Sequence, residues 1–151
     1  MRRPVRGAKL ELDKETSARM ARVRQRGTAP ELLTRKMVSS MGLRYRVHNR
    51  DLPGSPDLAN RRRRWAVFVH GCFWHAHGGC PKATIPRRNR AFWVAKLRAN
   101  RARDEASVRA LRALGYRVLV VWQCELERAP LATERRLNRS LRHIKSRRSA
   151  P

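Results

Sequence analysis

The densest chemistry in the sequence lies in His70-Gly71-Cys72-Phe73-Trp74-His75-Ala76-His77-Gly78-Gly79-Cys80, and Cys124 follows a separate apolar run that ends in Val121-Trp122. Structural zinc sites take four tetrahedral nitrogen and sulfur ligands, often spaced two to four residues apart. Cys72, His77 and Cys80 have compatible spacing, and Cys124 supplies a fourth donor from the end of a neighbouring strand. This set uses every cysteine in the chain. On spacing alone His75 competes with His77 for the nitrogen position. The bland alternative, three buried inert thiols, fits poorly with Gly78-Gly79 beside Cys80, which is weak core material. Four protein ligands close the coordination sphere, so such a zinc is structural.

A second constellation is built on carboxylates. Pro56-Asp57 opens a short strand, and a buried strand ends at His70. A carboxylate at the start of one strand, with further groups on the next, suits a hard cation such as Mg²⁺ that grips a phosphate oxygen and stabilises developing charge. The Pro-Asp pair alone is common in turns. The long helical segment from Asn89 to Leu114 adds a clue: Trp93, Leu97, Val108 and Leu111 form an apolar stripe, and Asn100 and Asp104 fall on it at steps of three and four. A carboxylate on a core-facing line needs a partner. A histidine from the loop is one candidate, and a histidine held by an aspartate is a good general base for activating water. Pairing of Asp104 with Arg101 or Arg103 at the surface is the competing arrangement.

The surrounding elements must place these groups. Asp13 to Arg26 reads as a very polar helix with Met20 and Val23 among its few apolar residues. Thr28-Ala29-Pro30-Glu31 reads as a capping box with proline in the first turn. The helix it starts runs to about Met41, with Leu33, Met37 and Met41 in register and Gly42 as C-cap. Leu43–Val47 and Asp57–Ala59 read as short strands, and Trp65–Val69, apolar throughout, as a buried central strand. The four arginines at 61–64 form a solvated turn facing phosphate. Residues 70–86 form a loop long enough to be functional. Tyr116–Trp122 is a further buried strand, and the last helix, near Leu131 to Ile144, carries Leu137, Leu141 and Ile144 on one stripe. The order α-α-β-β-β-α-β-α predicts an α/β (α+β) mixed sheet of about four strands flanked by helices. Residues 1–12 read as a flexible basic arm, 13–144 as one domain and 145–151 as a frayed basic tail.

Composition narrows the class. Thirty-seven Lys and Arg against eleven Asp and Glu give a formal charge of +26. Such a field attracts polyanions, and arginine's planar fork suits phosphates and base edges, so nucleic acid is the expected partner. No apolar run approaches the ~20 residues of a membrane span, and the basic start lacks the apolar stretch of a signal peptide. The chain therefore reads as cytoplasmic. There, three cysteines are metal ligands or buried thiols sooner than disulfides.

Taken together, Leu52-Pro53-Gly54-Ser55-Pro56-Asp57, Val67-Phe68-Val69-His70-Gly71-Cys72-Phe73-Trp74-His75 and Leu114-Gly115-Tyr116-Arg117-Val118-Leu119-Val120-Val121-Trp122-Gln123-Cys124-Glu125 resemble the very short patch repair endonucleases. The likeness runs from about Asp13 to Cys124. It implies a restriction-endonuclease-like fold and a nick 5′ of the thymine in a T·G mismatch left by deamination of 5-methylcytosine. It also implies double-stranded DNA as partner, functional links to a DNA cytosine-5 methyltransferase and to mismatch-repair proteins, and a nucleoid-associated monomer.

Residue by residue, the resemblance makes Asp57 a Mg²⁺ ligand, with the backbone carbonyl of Val69 beside it. Members of the family commonly carry threonine at that position; a carbonyl donor survives the change and a hydroxyl role does not. His75 becomes the general base, oriented by Asp104, while His70 and Glu31 contact phosphate or water in the same site. Cys72, His77, Cys80 and Cys124 hold zinc, although the segment between His75 and Cys80 is one residue longer than the family pattern. Phe73 and Trp74 become wedges into the base stack at the mismatch, with Met20 entering from the other groove. Apolar wedges unstack a step at a cost of about a few kcal/mol, least where pairing is already poor, so wedging discriminates. Two other readings compete: a zinc-organised DNA-binding module without catalysis, and a restriction-type nuclease of the same fold, which would have to dimerise to cut both strands.

Overall fold

The computed structural model describes residues 14–23 and 25–143. The expected arm 1–12, the tail 145–151, Asp13 and Ile144 lie outside the described residues. A three-stranded mixed sheet forms the centre. β1 (Leu58–Asn60) pairs antiparallel with β2 (Trp65–His70), and β2 pairs parallel with β3 (Arg117–Trp122). Alternation along β2 divides the core. Trp65, Val67 and Val69 pack with Leu119 and Val121 under α2 (Ala29–Ser40) and α5 (Pro130–Arg142). Ala66 and Phe68 face the other way, toward Leu111 of α3 (Arg90–Ala113). The result is a helix–sheet–helix sandwich in which β2, buried at all six positions, is the central strand expected of a continuous apolar run.

Two helices depart from their expected extent or facing. The first, α1 (Lys14–Ala21), is shorter than expected, because it has little apolar surface to bury. In α2, Thr28 caps the amide of Glu31, but the Glu31 carboxylate reaches the amide of Gly27 rather than that of Thr28. Its inward face carries Glu31, Thr34, Met37 and Val38, whereas Leu33 is 37% exposed. The expected Leu33–Met37–Met41 line is therefore displaced; Thr34 goes inward because its hydroxyl is satisfied by the carbonyl of Pro30.

The expected strand at 43–47 shrinks to a single bridge, Arg46 with Ala59. His48 turns the chain at φ 56°, and the fully buried Asn49 ties the carbonyls of Arg46 and Pro56 together at 2.8 and 3.0 Å. β3 lies at the sheet edge and is only half-buried, not buried as expected. After it comes α4 (Gln123–Arg128), a six-residue helix that the sequence reading missed, begun where the Glu125 carboxylate accepts the Trp122 amide. Within the 70–86 loop, Pro81–Ala83 makes one 3₁₀ turn.

Candidate functional site

Both clusters sit at the C-terminal ends of β2 and β3. In the parallel register His70 lies opposite Trp122, so the loop after β2 and the helix after β3 leave the sheet side by side. Asp57 arrives at the same edge from the loop closed by Asn49, directly before β1. Gly54 makes this approach possible. At φ 71°, an added Cβ there would lie 2.5 Å from the Ser107 side chain of α3.

The first cluster is acidic and histidine-rich. The Val69 amide donates to Asp57 Oδ2 at 2.6 Å, which holds the carboxylate against the end of β2. Burial pushes Asp57 up to about 6; the Val69 amide opposes this, nearby Glu31 adds to it, and His75 and Arg35 pull against it. Glu31 is buried on α2 and keeps Arg35 at 3.5 Å. Two carboxylates in one half-buried recess, with Asp57 costly to ionise, suit a hard divalent cation bound through oxygen.

His75 Nδ1 lies 2.6 Å from Asp104 Oδ2. The surface alternative for Asp104 does not form: Arg101 pairs with Glu105, and Arg103 bonds Asn100. One turn earlier on α3, Asn100 donates to the Trp74 carbonyl at 2.9 Å, so the helix holds the loop at consecutive residues. A carboxylate accepting from Nδ1–H leaves Nε2 as the basic nitrogen. The His70 ring stacks on His75 at 3.8 Å and 1°, and burial, helped by His75 and opposed by Asp104, lowers His70 to about 4. His70 is therefore neutral at physiological pH.

The second cluster is soft. The donor atoms of Cys72, His77, Cys80 and Cys124 all lie within 4.8 Å of one another, with Cys124 Sγ 3.4 Å from His77 Nδ1. Tetrahedral zinc at about 2.3 Å from sulfur and about 2.0 Å from nitrogen needs an S···N edge of about 3.5 Å. Burial, then the neighbouring Cys72 and Cys80 sulfurs, push the Cys124 thiol up to about 11. Three sulfurs crowded this way become thiolates readily only around a cation. The donor set fits zinc, and it takes His77 where spacing alone left His75 in contention. Outside the cluster, Lys82 pairs with Glu127 and ties the 3₁₀ turn to α4.

Of the three expected wedge residues, two come together. Phe73 and Trp74 are half-buried and pack edge to face at 5.0 Å, and Trp93 of α3 backs them at 5.4 and 6.0 Å. Met20 is half-buried on α1 and is not among the residues gathered at either cluster. Sequence reading missed two residues that position this region. Asn49, silent in any spacing pattern, clamps the loop leading to Asp57. Trp122 stacks on His77 at 3.9 Å and meets His70 edge-on at 5.2 Å, bridging the two clusters; its place two residues before Cys124 was the available signal.

Comparison with known proteins agrees with this geometry. The sequence profile of the family described as DNA mismatch endonuclease Vsr matches residues 11–82. The chain is 50% identical over 107 residues to the type II nicking enzyme V.XorIIP of Xanthomonas oryzae pv. oryzae, covering 71% of this chain and 78% of the relative. It is 40% identical over 126 residues to the type II nicking enzyme V.NmeAIP of Neisseria meningitidis, covering 83% and 89%. It is 37% identical over 130 residues to the DNA mismatch endonuclease Vsr of Escherichia coli K12, covering 85% and 83%.

Proposed function

This chain belongs to the DNA mismatch endonuclease Vsr family and is a DNA endonuclease, and from that premise we propose that it nicks one strand of duplex DNA 5′ of the thymine in a T·G mismatch. The observation that carries the reading is the convergence of Asp57 with the His75–Asp104 pair: the imidazole is held at 2.6 Å by its aspartate and lies close enough to Asp57 to act on its charge. The apolar Phe73–Trp74 pair, adjacent to His75 on the same loop, is the feature that favours a mispaired step.

In this reading Asp57 and the Val69 carbonyl hold Mg²⁺, which when bound stabilises the negative charge that grows on the phosphate. His75 Nε2 takes the proton of the attacking water, and Asp104 keeps the ring in the tautomer and orientation that allow it. His70, neutral and stacked on His75, blocks rotation of that ring and offers a nitrogen to phosphate or water. Glu31 accepts from water at the rear of the recess while held by Gly27 and Arg35. Cys72, His77, Cys80 and Cys124 hold structural zinc, which supplies folding energy to the loop that carries His75 and the wedge. Phe73 and Trp74 enter the stack beside the mismatch, with Met20 from the opposite groove.

Residues 13–144 act as one domain, and the flanking stretches 1–12 and 145–151 are basic in sequence. The chain works as a nucleoid-associated cytoplasmic monomer, alongside a cytosine-5 methyltransferase and the mismatch-repair proteins. Among the described residues no helix is long and apolar enough to cross a membrane.

A restriction-type specificity is the second reading, because several relatives are named type II nicking enzymes. A T·G heteroduplex and its matched control, each incubated with Mg²⁺, separate the two. Nicking confined to the heteroduplex is expected; equal cutting of both duplexes overturns mismatch specificity, and tight binding without any cut overturns the roles given to Asp57 and His75.

A further inference from the structure

The loop that carries the wedge and the first half of α3 enclose an open groove of about 450 Å³, which His77 and Cys80 of the soft cluster border on one side. One wall is the exposed backbone of Gly78 and Gly79; the other is Arg90, Arg98 and Arg101, over a floor that includes Leu97. Among the described residues, the Gly78 and Gly79 amides have no protein acceptor, and Arg90 and Arg98 have no carboxylate partner. Arg101 pairs with Glu105 at 3.1 Å, but both are exposed, and such pairs exchange easily. At Gly78–Gly79 the loop wall carries no side chains, and α3 opposite presents three guanidiniums, so the groove suits a narrow, continuous polyanion that approaches backbone closely.

Its position decides which one. Ala76 and Arg101 line it, and these flank His75 and Asp104, so the groove starts beside the catalytic pair and runs toward the N-terminus of α3. From Arg101 to Arg90 is about 16 Å of helix at 1.5 Å per residue. One DNA strand carries a phosphate about every 3.4 Å along the duplex axis, so this length matches about five phosphates. We propose that the groove is the track for the sugar–phosphate backbone of the strand being cut, on one side of the scissile bond, with the Gly78 and Gly79 amides and the three guanidiniums on successive phosphates. The proposal rests on the reading that His75 and Asp104 mark the scissile phosphate.

The test is an Arg90→Ala/Arg98→Ala double variant of the full chain, with Arg109→Ala/Arg112→Ala on the far half of α3 as the equal-charge control and Arg90→Lys/Arg98→Lys as the charge-preserving one. Duplex DNA binding is measured over a salt series and by phosphate-ethylation interference, both of which report without cleavage. In the alanine groove variant the salt slope is expected to fall by about 2. Interference at a short contiguous run of phosphates on one side of the nick position should also disappear. The lysine variant should keep that run, and so should the distal control. A groove variant with the parent's interference pattern overturns the proposal, as does loss of the same run in the distal control. Failure to nick the heteroduplex would leave these binding patterns readable, so the two readings fail separately.

Discussion

The two clusters stand side by side at one edge of the sheet and solve opposite problems. In the Cys72–His77–Cys80–Cys124 cluster all four donors turn toward a common centre, and a cation there would have nothing left to bind. In the Asp57 recess the ligand atoms are few and the charge is not balanced: burial, helped by Glu31 and opposed by the one amide the sheet provides, raises Asp57 to about 6. The first arrangement gives up reactivity for a fixed loop. The second keeps a carboxylate in a costly state so that a cation, a phosphate and a water have somewhere to go. Trp122, flat against His77 and edge-on to His70, is where the rigid cluster supports the reactive one.

The sharpest way to separate the two is Asp57→Ala. Nicking should fall by at least about 10³-fold, since the cation's contribution to the charged transition state amounts to several kcal/mol. Zinc content should not change. Loss of zinc in this variant would mean that the clusters are one unit. Next comes Cys124→Ser, which should empty the soft cluster, expose 72–80 to proteolysis and lower nicking about 10- to 100-fold through misplaced His70 and His75. Full activity without zinc would break the link through Trp122.

The smallest effect is on stability. Asp57 titrates higher when folded than its ordinary 3.8, so the native state binds the extra proton. Stability is therefore complete below about 4 and is lost as pH rises toward and through about 6. Asp57→Asn can still accept from the Val69 amide and should stabilise the protein without added Mg²⁺ by about 2–3 kcal/mol at pH 8. The gain should shrink by about half at pH 5, as read from urea unfolding. An advantage equal at both pH values would point to packing instead of charge.

Much of this was legible before any coordinates. The β2 run Trp65–Val69 could hardly be anything but a central strand, and the Asp104 stripe position led to a loop histidine, the pairing found at 2.6 Å. Three things were hidden. Which histidine joins the cysteines depends on turns at Ala76 and Gly79, both at positive φ, which spacing does not encode. The 43–47 segment has strand-like residues but, apart from the Arg46–Ala59 bridge, gives its carbonyls at Arg44 and Arg46 to the Asn60 and Asn49 side chains. On α2, helical periodicity picked out Leu33 with Met37 and Met41, whereas the site draws Glu31 inward, keeps Met37 buried and leaves Leu33 at the surface. Local pattern cannot foresee a helix turned to serve a polar recess.

The parallel pairing of Trp65 through His70 with Arg117 through Trp122 has one more consequence. Both clusters hang from the same six rungs, so a slip of one rung would turn His70 and Trp122 to the opposite face of the sheet and dismantle them together. The other end of β2 carries the arginine turn at 61–64, where Arg64 ties to Leu114 and Arg117 but which lies outside both clusters. The molecule thus has an intolerant pole and a permissive one, and added length or a grafted peptide belongs at the arginine turn.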